Sequence, residues 1–143
     1  MPRLTVPIHL RWSDLDAYRH VNNATMLRLL EEARVRTFWE GERGIGDGVL
    51  TLIARQEIEY LAPMSYSGEP ILIELWLSRI GGASLEIAYQ VRGPEGDETV
   101  YARAATVVVF VDAATGKPTR LDEATRARWE PYLDDPIAFR RGG

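Results

Sequence analysis

The sequence predicts an α+β fold in which one long helix lies against one face of an antiparallel sheet. Three observations carry that expectation. Apolar side chains recur at helical spacing between residues 23 and 40, the period drops to two between residues 50 and 112, and those alternating runs follow one another in a row. At 143 residues the chain fits one domain, 1–143, large enough to bury a proper core.

The first run, residues 4–11, alternates Val6, Ile8 and Leu10 against Thr5, Pro7 and His9, a strand in which Pro7 suits an edge or entry position. His9 is expected on the surface. Residues 13–22 are polar and dotted with aromatics, without period, so they form a loop that delivers side chains. Asn22 or Asn23 then caps a helix that runs to about Glu40 and stops at Gly41, a length of about 27 Å. Met26, Leu27, Leu29, Leu30, Ala33, Thr37 and Phe38 form its apolar stripe, while Arg28, Glu32 and Arg36 sit one turn apart as solvated partners. The loop at 41–48 carries four glycines but follows a helix and contains no phosphate-binding motif.

Four strands are then expected. Residues 50–64 set Arg55, Glu57 and Glu59 on one face and Leu52, Ala54, Gln56, Ile58 and Tyr60 on the other. Residues 71–80 turn Ile71, Ile73, Leu75 and Leu77 inward, and a Gly81-Gly82 turn leads into the alternating run 84–92. Residues 99–112 include VVVFV, apolar on both faces, which belongs in the sheet centre or has one face under the helix and the other in a subunit contact. Residues 123–129 form a short final helix ending before Pro131, and Arg140 and Arg141 read as a frayed terminus. A single helix cannot cover both faces of such a sheet, so exposed apolar side chains, Trp76 among them, are expected at an oligomer interface.

Composition removes several functional classes. With no cysteine, disulfides, thiol nucleophiles and cysteine-containing metal sites are excluded. Two histidines, His9 and His20, far apart in sequence make a zinc centre an unattractive reading, and no metal is expected. A net charge of −4 advertises no nucleic-acid surface. No apolar run approaches a membrane span, and the first residues lack a signal-peptide core, so a cytoplasmic protein without a membrane partner is expected. No G-x-S-x-G elbow is present, which argues against a serine hydrolase.

The segment 11–34, RWSDLDAYRHVNNATMLRLLEEAR, concentrates the chemistry. Asp14, Asp16 and His20 stand immediately before the amphipathic helix. A carboxylate, an imidazole and the uncommitted N–H groups of a starting helix are what acyl transfer requires. The same residues have structural readings: Asp16 as a loop aspartate bonding nearby N–H groups, His20 as a loop hydrogen bond, Asn23 as a cap, and Glu57 and Glu59 as a solvated face beside Arg55.

The strings Asp14-Leu15-Asp16, His20-Val21-Asn22-Asn23 and Leu30-Glu31-Glu32-Ala33-Arg34, continued by Glu57-Ile58-Glu59-Tyr60-Leu61-Ala62-Pro63, resemble the signature of hotdog-fold acyl thioesterases. The 4-hydroxybenzoyl-CoA thioesterase group and plant acyl-ACP thioesterases are similar. The resemblance extends to about Asp112 and implies a single hotdog domain, an antiparallel sheet wrapped around one long central helix. It implies Asp16 as the catalytic carboxylate, nucleophile or general base, and Asn23, seven positions after Asp16, as the backbone donor to the thioester oxygen. His20, where the 4-hydroxybenzoyl group has an apolar residue, is read as an assisting group that orients Asp16 or the water. Glu59 matches the context of a glutamate proposed to act in the plant enzymes. Arg79 and Ser84, at the turn corresponding to the CoA-contacting loop, are the expected CoA-binding residues. The chain departs from relatives at Tyr18, where the plant enzymes have Asn, and at Met26, where many have Tyr.

The function so implied is hydrolysis of acyl-CoA to carboxylic acid and CoA, without any cofactor beyond the CoA of the substrate, by a homo-oligomer, dimer or tetramer, with sites between subunits. Three alternatives stand beside it: an acyl-ACP thioesterase, a thioester hydratase or dehydratase of the same fold, and a non-catalytic acyl-CoA-binding protein.

Overall fold

The computed structural model describes residues 3–39 and 48–140. The polypeptide enters through strand β1 (Leu4–Ile8), makes a 3-10 turn at Trp12–Asp14, and starts helix α1 (Asn23–Arg34), which continues as a π-helical turn over Val35–Trp39. Four strands follow, β2 (Val49–Tyr60), β3 (Ile71–Ile80), β4 (Ser84–Arg92) and β5 (Val100–Asp112), and then helix α2 (Glu123–Trp129) with a 3-10 turn at Glu130–Tyr132. The strands form one antiparallel sheet in the order β1-β3-β4-β5-β2. The end of the long helix expected at Glu40 and the glycine loop at 41–47 lie outside the described residues. Up to Trp39 the helical path is as anticipated, apart from its π-helical last turn.

Periodicity explains the layering. Leu30 and Ala33 on α1 and Phe38 in its π-helical continuation are fully covered and join Ile73, Leu75, Leu77, Leu85, Ile87, Tyr89, Val108 and Phe110 of the inner face of the sheet in one core. Each large side chain so buried contributes about 2 kcal/mol. Phe38 also stacks edge-on against Trp129 and Tyr132, so α2 closes the end of the core remote from the start of α1. On the solvent side Glu32 and Arg36 form the i,i+4 pair anticipated, at 2.7 Å.

Several expectations are corrected, the strand expected over 50–64 ending at Tyr60 among them. The first strand stops at Ile8 rather than residue 11, because the Trp12–Asp14 turn takes the chain away from the sheet. In β2 a bulge between Ile53 and Arg55 resets the alternation, so Leu52, opposite Val109, shares the outer face with Arg55, Glu57 and Glu59 instead of opposing them. Trp76 is not exposed: only 1% of its surface is accessible.

The cover over Trp76 is the chain's own C-terminal segment. Leu133 bridges to Leu77, Asp134 N–H donates to Leu77 O (2.9 Å), and Trp76 Nε1–H donates to Asp135 O (2.7 Å). Arg3 lies 3.7 Å over the Trp76 ring and pairs with Asp134 at 2.8 Å. Further on, Pro136, Ile137 and Phe139 cross above Ala105 and Val107, and the N–H of Arg140 reaches the Glu59 carboxylate. Residues 133–140 therefore cross the outer face over Trp76 and the Ala105–Val107 part of β5, while Leu50 and Leu52 at the edge stay exposed. Arg140 is tied down, not frayed.

Candidate active site

The loop before α1 is organised by Asp14, whose side chain is 2% exposed. Its Oδ2 accepts the Arg11 backbone N–H at 2.7 Å and its Oδ1 the Arg11 guanidinium at 2.9 Å, while its carbonyl accepts Asn22 N–H at 2.9 Å. Both lone-pair-bearing oxygens are spent on shaping the turn. The first carboxylate of the D-x-D string is a structural group.

Asp16 differs. Residues 16–20 close a tight turn in which Asp16 N–H donates to His20 O (2.9 Å) and Arg19 N–H donates to Asp16 O (3.0 Å). Arg19 takes the left-handed conformation, φ 62°, a position uncommon for a side-chain-bearing residue and characteristic of functional turns. The Asp16 Oδ1 accepts Tyr18 N–H at 2.9 Å and His20 N–H at 3.4 Å. One carboxylate oxygen thus fixes the rotamer, and Oδ2 is left uncommitted among the described residues. The turn is then stapled to the chain after β2, by Val21 N–H to Met64 O (2.8 Å) and a bridge between His20 and Ser65.

Asn22, in extended conformation, is the N-cap. Its Oδ1 accepts Ala24 N–H (2.9 Å) and Thr25 N–H (3.3 Å), and its carbonyl accepts Met26 N–H (2.9 Å). The Met26 bond is the first of the helix itself; the Ala24 and Thr25 bonds, together with Asn22 N–H to Asp14 O, satisfy three of the four orphan donors at the helix start. The fourth, the N–H of Asn23, has no acceptor among the described residues. Elimination therefore selects the same donor that the family resemblance implies.

Asp16, His20 and Asn23 line one cavity of about 320 Å³, whose walls include Met26, Tyr60 and Met64. Asp16, with one carboxylate oxygen uncommitted, and Asn23, whose N–H has no acceptor among the described residues, thus border a common space with largely apolar walls. This arrangement can polarise a carbonyl oxygen at the helix start while presenting an oxygen base or nucleophile to its carbon. Among the described residues no hydrogen bond joins the His20 imidazole to the Asp16 carboxylate. It is the His20 backbone that orients Asp16. A second space of about 590 Å³, lined by Trp12, Arg19 and Tyr66, shares Asp16 as a wall, so the carboxylate stands between two openings.

The remaining expected residues lie elsewhere. Glu59 sits on the outer face of β2, opposite Arg103, whose Nε–H donates to it at 2.8 Å, and it also receives the Arg140 N–H. Within one chain it does not meet Asp16, because adjacent strand positions point to opposite faces and it is the neighbouring Tyr60 that faces the cavity. Arg79 and Ser84 are brought together, Nη2–H to Oγ at 3.4 Å, but at the β3–β4 turn. Ser84 is level with Val109 on β5, whereas the cavity borders Tyr101. Eight strand residues put about 27 Å between them. No group of three His, Asp or Glu side chains among the described residues is arranged to hold a metal ion.

Sequence reasoning missed Tyr60, whose hydroxyl donates to Asn23 O at 2.8 Å. Its place at the end of a strand, just ahead of Leu61-Ala62-Pro63, marked it only as an inward position. Burial pushes its phenol pKa up from the ordinary value.

Known proteins share this architecture. Residues 10–129 match the model of the thioesterase-like superfamily. The chain is 31% identical over 133 residues to the long-chain acyl-CoA thioesterase FadM of Escherichia coli, covering 88% of this chain and 96% of that protein. A thioesterase from Thermus thermophilus, crystallised with coenzyme A and zinc, superposes with a TM-score of 0.73 at 29% identity over 88% of this chain and 96% of its own. A Jannaschia protein of the thioesterase superfamily shares the fold at a TM-score of 0.82 and 21% identity, covering 94% and 98%. With five antiparallel strands folded about one helix and a family match across most of its length, the chain belongs to the thioesterase-like superfamily of hotdog-fold thioester hydrolases.

Proposed function

We propose that this protein hydrolyses acyl-CoA to carboxylic acid and CoA, with Asp16 supplying the reactive oxygen and Asn23 N–H the oxyanion contact. The observation that carries this reading is that one cavity is lined both by a carboxylate held by one oxygen and by the residue whose first-turn N–H is the one left without an acceptor among the described residues. The carbonyl oxygen accepts from Asn23 N–H. Asp16 Oδ2 then either attacks the carbonyl carbon, expelling the thiolate and forming a mixed anhydride that water cleaves, or takes a proton from a water that attacks in its place. The thiolate leaves as CoA in both routes. His20 assists by fixing Asp16 through its N–H. The relationship to the Escherichia coli enzyme makes long acyl chains the first substrates to try.

Assembly belongs to the same proposal. β2 is an edge strand with Leu50, Leu52, Ile53 and Tyr60 all more than 40% exposed, an open template for pairing. A two-fold antiparallel pairing of β2 with a second copy sets the partner's Val49 end beside Tyr60. The partner's β3–β4 turn, with its Arg79–Ser84 pair, then lies at the end of the sheet where Asp16 is, the placement a CoA arm needs. Glu59 stays an expectation for that assembled site. The cytoplasmic location and the absence of nucleic-acid and membrane partners remain part of this reading.

Thiol release from short, long and aryl acyl-CoAs tests the reading, followed by single turnover of the best substrate in ¹⁸O-water. Cleavage of at least one class supports it, and ¹⁸O appearing in Asp16 identifies the anhydride route. Cleavage of none sinks it. Sedimentation of Leu52→Arg tests the edge: a shift of the wild-type oligomer to monomer is expected, and an unchanged oligomer removes β2 as the contact.

A further inference from the structure

Tyr60 stands where three features meet: the last position of the edge strand, the wall of the site cavity, and the first turn of α1. Its backbone is fixed, since Leu61 N–H and Ala62 N–H both donate to Tyr101 O, at 2.8 and 3.2 Å. Its ring is on the inner side, level with Ala102. From that anchored base its hydroxyl gives its proton to the carbonyl of Asn23, the residue whose N–H is the free donor.

Among the described residues, the other hydrogen bonds that anchor Asn22 and the first turn come from the loop side. They are the Asn22 cap and the bond from Asn22 N–H to Asp14 O. Remove the phenol and Asn23 loses its tie to the edge strand. Buried Met26 and the loop-side bonds still hold the first turn, but its exposed N-terminal end is looser about Asn22. A pivot redirects the Asn23 N–H, and a donor must lie within a few tenths of an ångström of its place to act on a developing oxyanion.

We propose that Tyr60 is a positioning residue for thioester hydrolysis, tethering the first turn of α1 to the edge strand so that the Asn23 N–H keeps its aim at the substrate carbonyl. The inference rests on the hydrolytic reading of the site and extends it to a residue outside the loop and helix. Because the phenolic proton is committed to the Asn23 carbonyl, Tyr60 does not serve as the acid for the departing thiolate. An ordinary phenol holds that proton through the neutral range, and partial burial pushes its pKa further up. The tether also makes the donor's geometry depend on β2.

Tyr60→Phe keeps the ring and removes only the hydrogen bond. In the full chain, kcat for the best acyl-CoA is expected to fall about tenfold, the size of one ordinary hydrogen bond, with KM within about twofold. Two unreactive analogues separate positioning from mere structure. A ketone analogue, with methylene in place of sulfur, should bind about tenfold more weakly to the variant, whereas a thioether lacking the carbonyl should bind unchanged. Equal weakening of both analogues, or an unchanged kcat, overturns the proposal. Hydrogen exchange decides the tether without any turnover. Exchange of the Ala24, Thr25 and Met26 amides about tenfold faster in Tyr60→Phe, with β3 and β4 amides unmoved, supports it. Unchanged exchange refutes it even if the protein cleaves acyl-CoA, and a wild type that cleaves nothing indicts the hydrolytic reading instead.

Discussion

Replacing Asp16 by Asn isolates the reactive oxygen from everything else that residue does. The Asp16 Oδ1 accepts two backbone N–H groups, from Tyr18 at 2.9 Å and His20 at 3.4 Å, while Oδ2 has no partner among the described residues. An Asn side chain offers its amide oxygen to the same two donors, and its NH₂ occupies the place of Oδ2. The turn and its left-handed Arg19 are therefore retained, and the cost to stability stays under about 1 kcal/mol. What disappears is a basic, nucleophilic oxygen. General-base or nucleophilic action contributes about 10² to 10⁴ in rate, roughly 2.7 to 5.5 kcal/mol of barrier. Thiol release under saturating acyl-CoA should fall by at least about a hundredfold, while the thermal midpoint moves by no more than about 4 °C. Turnover within about fivefold of wild type, in a variant that melts normally, would refute the assignment of Asp16.

Other outcomes follow from the same contacts. Asp14→Ala leaves the Arg11 N–H and guanidinium without their acceptor, so stability should drop by about 2 kcal/mol in urea unfolding. A drop below about 0.5 kcal/mol would show that the turn does not depend on that carboxylate. Deleting residues after Leu133 uncovers Trp76. Its fluorescence should shift to the red and unfolding free energy fall by about 2–4 kcal/mol, whereas an unshifted spectrum would mean that another cover holds the ring. Burial, opposed by the Arg34 charge and hydrogen bonds from Thr106 and Arg34, raises the pKa of Tyr89. A raised folded-state pKa gives stability that is complete below the unfolded value near about 10 and lost as pH climbs through the folded one. Tyr89→Phe should flatten the alkaline loss of stability above pH of about 10, and an identical slope would place that loss on other groups.

Much of the site was legible because it is local. The D-x-D spacing, His20, the Asn pair and the helix start lie within ten consecutive positions, and local hydrogen bonds set their geometry. Counting to Asn23 selected the same donor that the capping bonds leave free. The sequence could not rank the two aspartates by contact, since Asp14 is engaged through both oxygens by its own neighbours while Asp16 borders the cavity with one oxygen uncommitted among the described residues. Nor could it find Tyr60, because pairing a strand end with a helix start 37 positions earlier is a tertiary event.

Periodicity determined the elements: strands β3 and β4 and helix α2 have the bounds their patterns predict, and the inward faces of β3 and β4 are the buried ones. Such patterns record which side of an element avoids water, a property of each segment alone. What covers a face is settled between segments. Tertiary structure alone decided that Trp76 lies under residues 133–140, that a bulge in β2 moves Leu52 to the outer face, and that Glu59 looks away from Asp16. Each of those outcomes depends on register and on which distant segment arrives, quantities that no local spacing encodes.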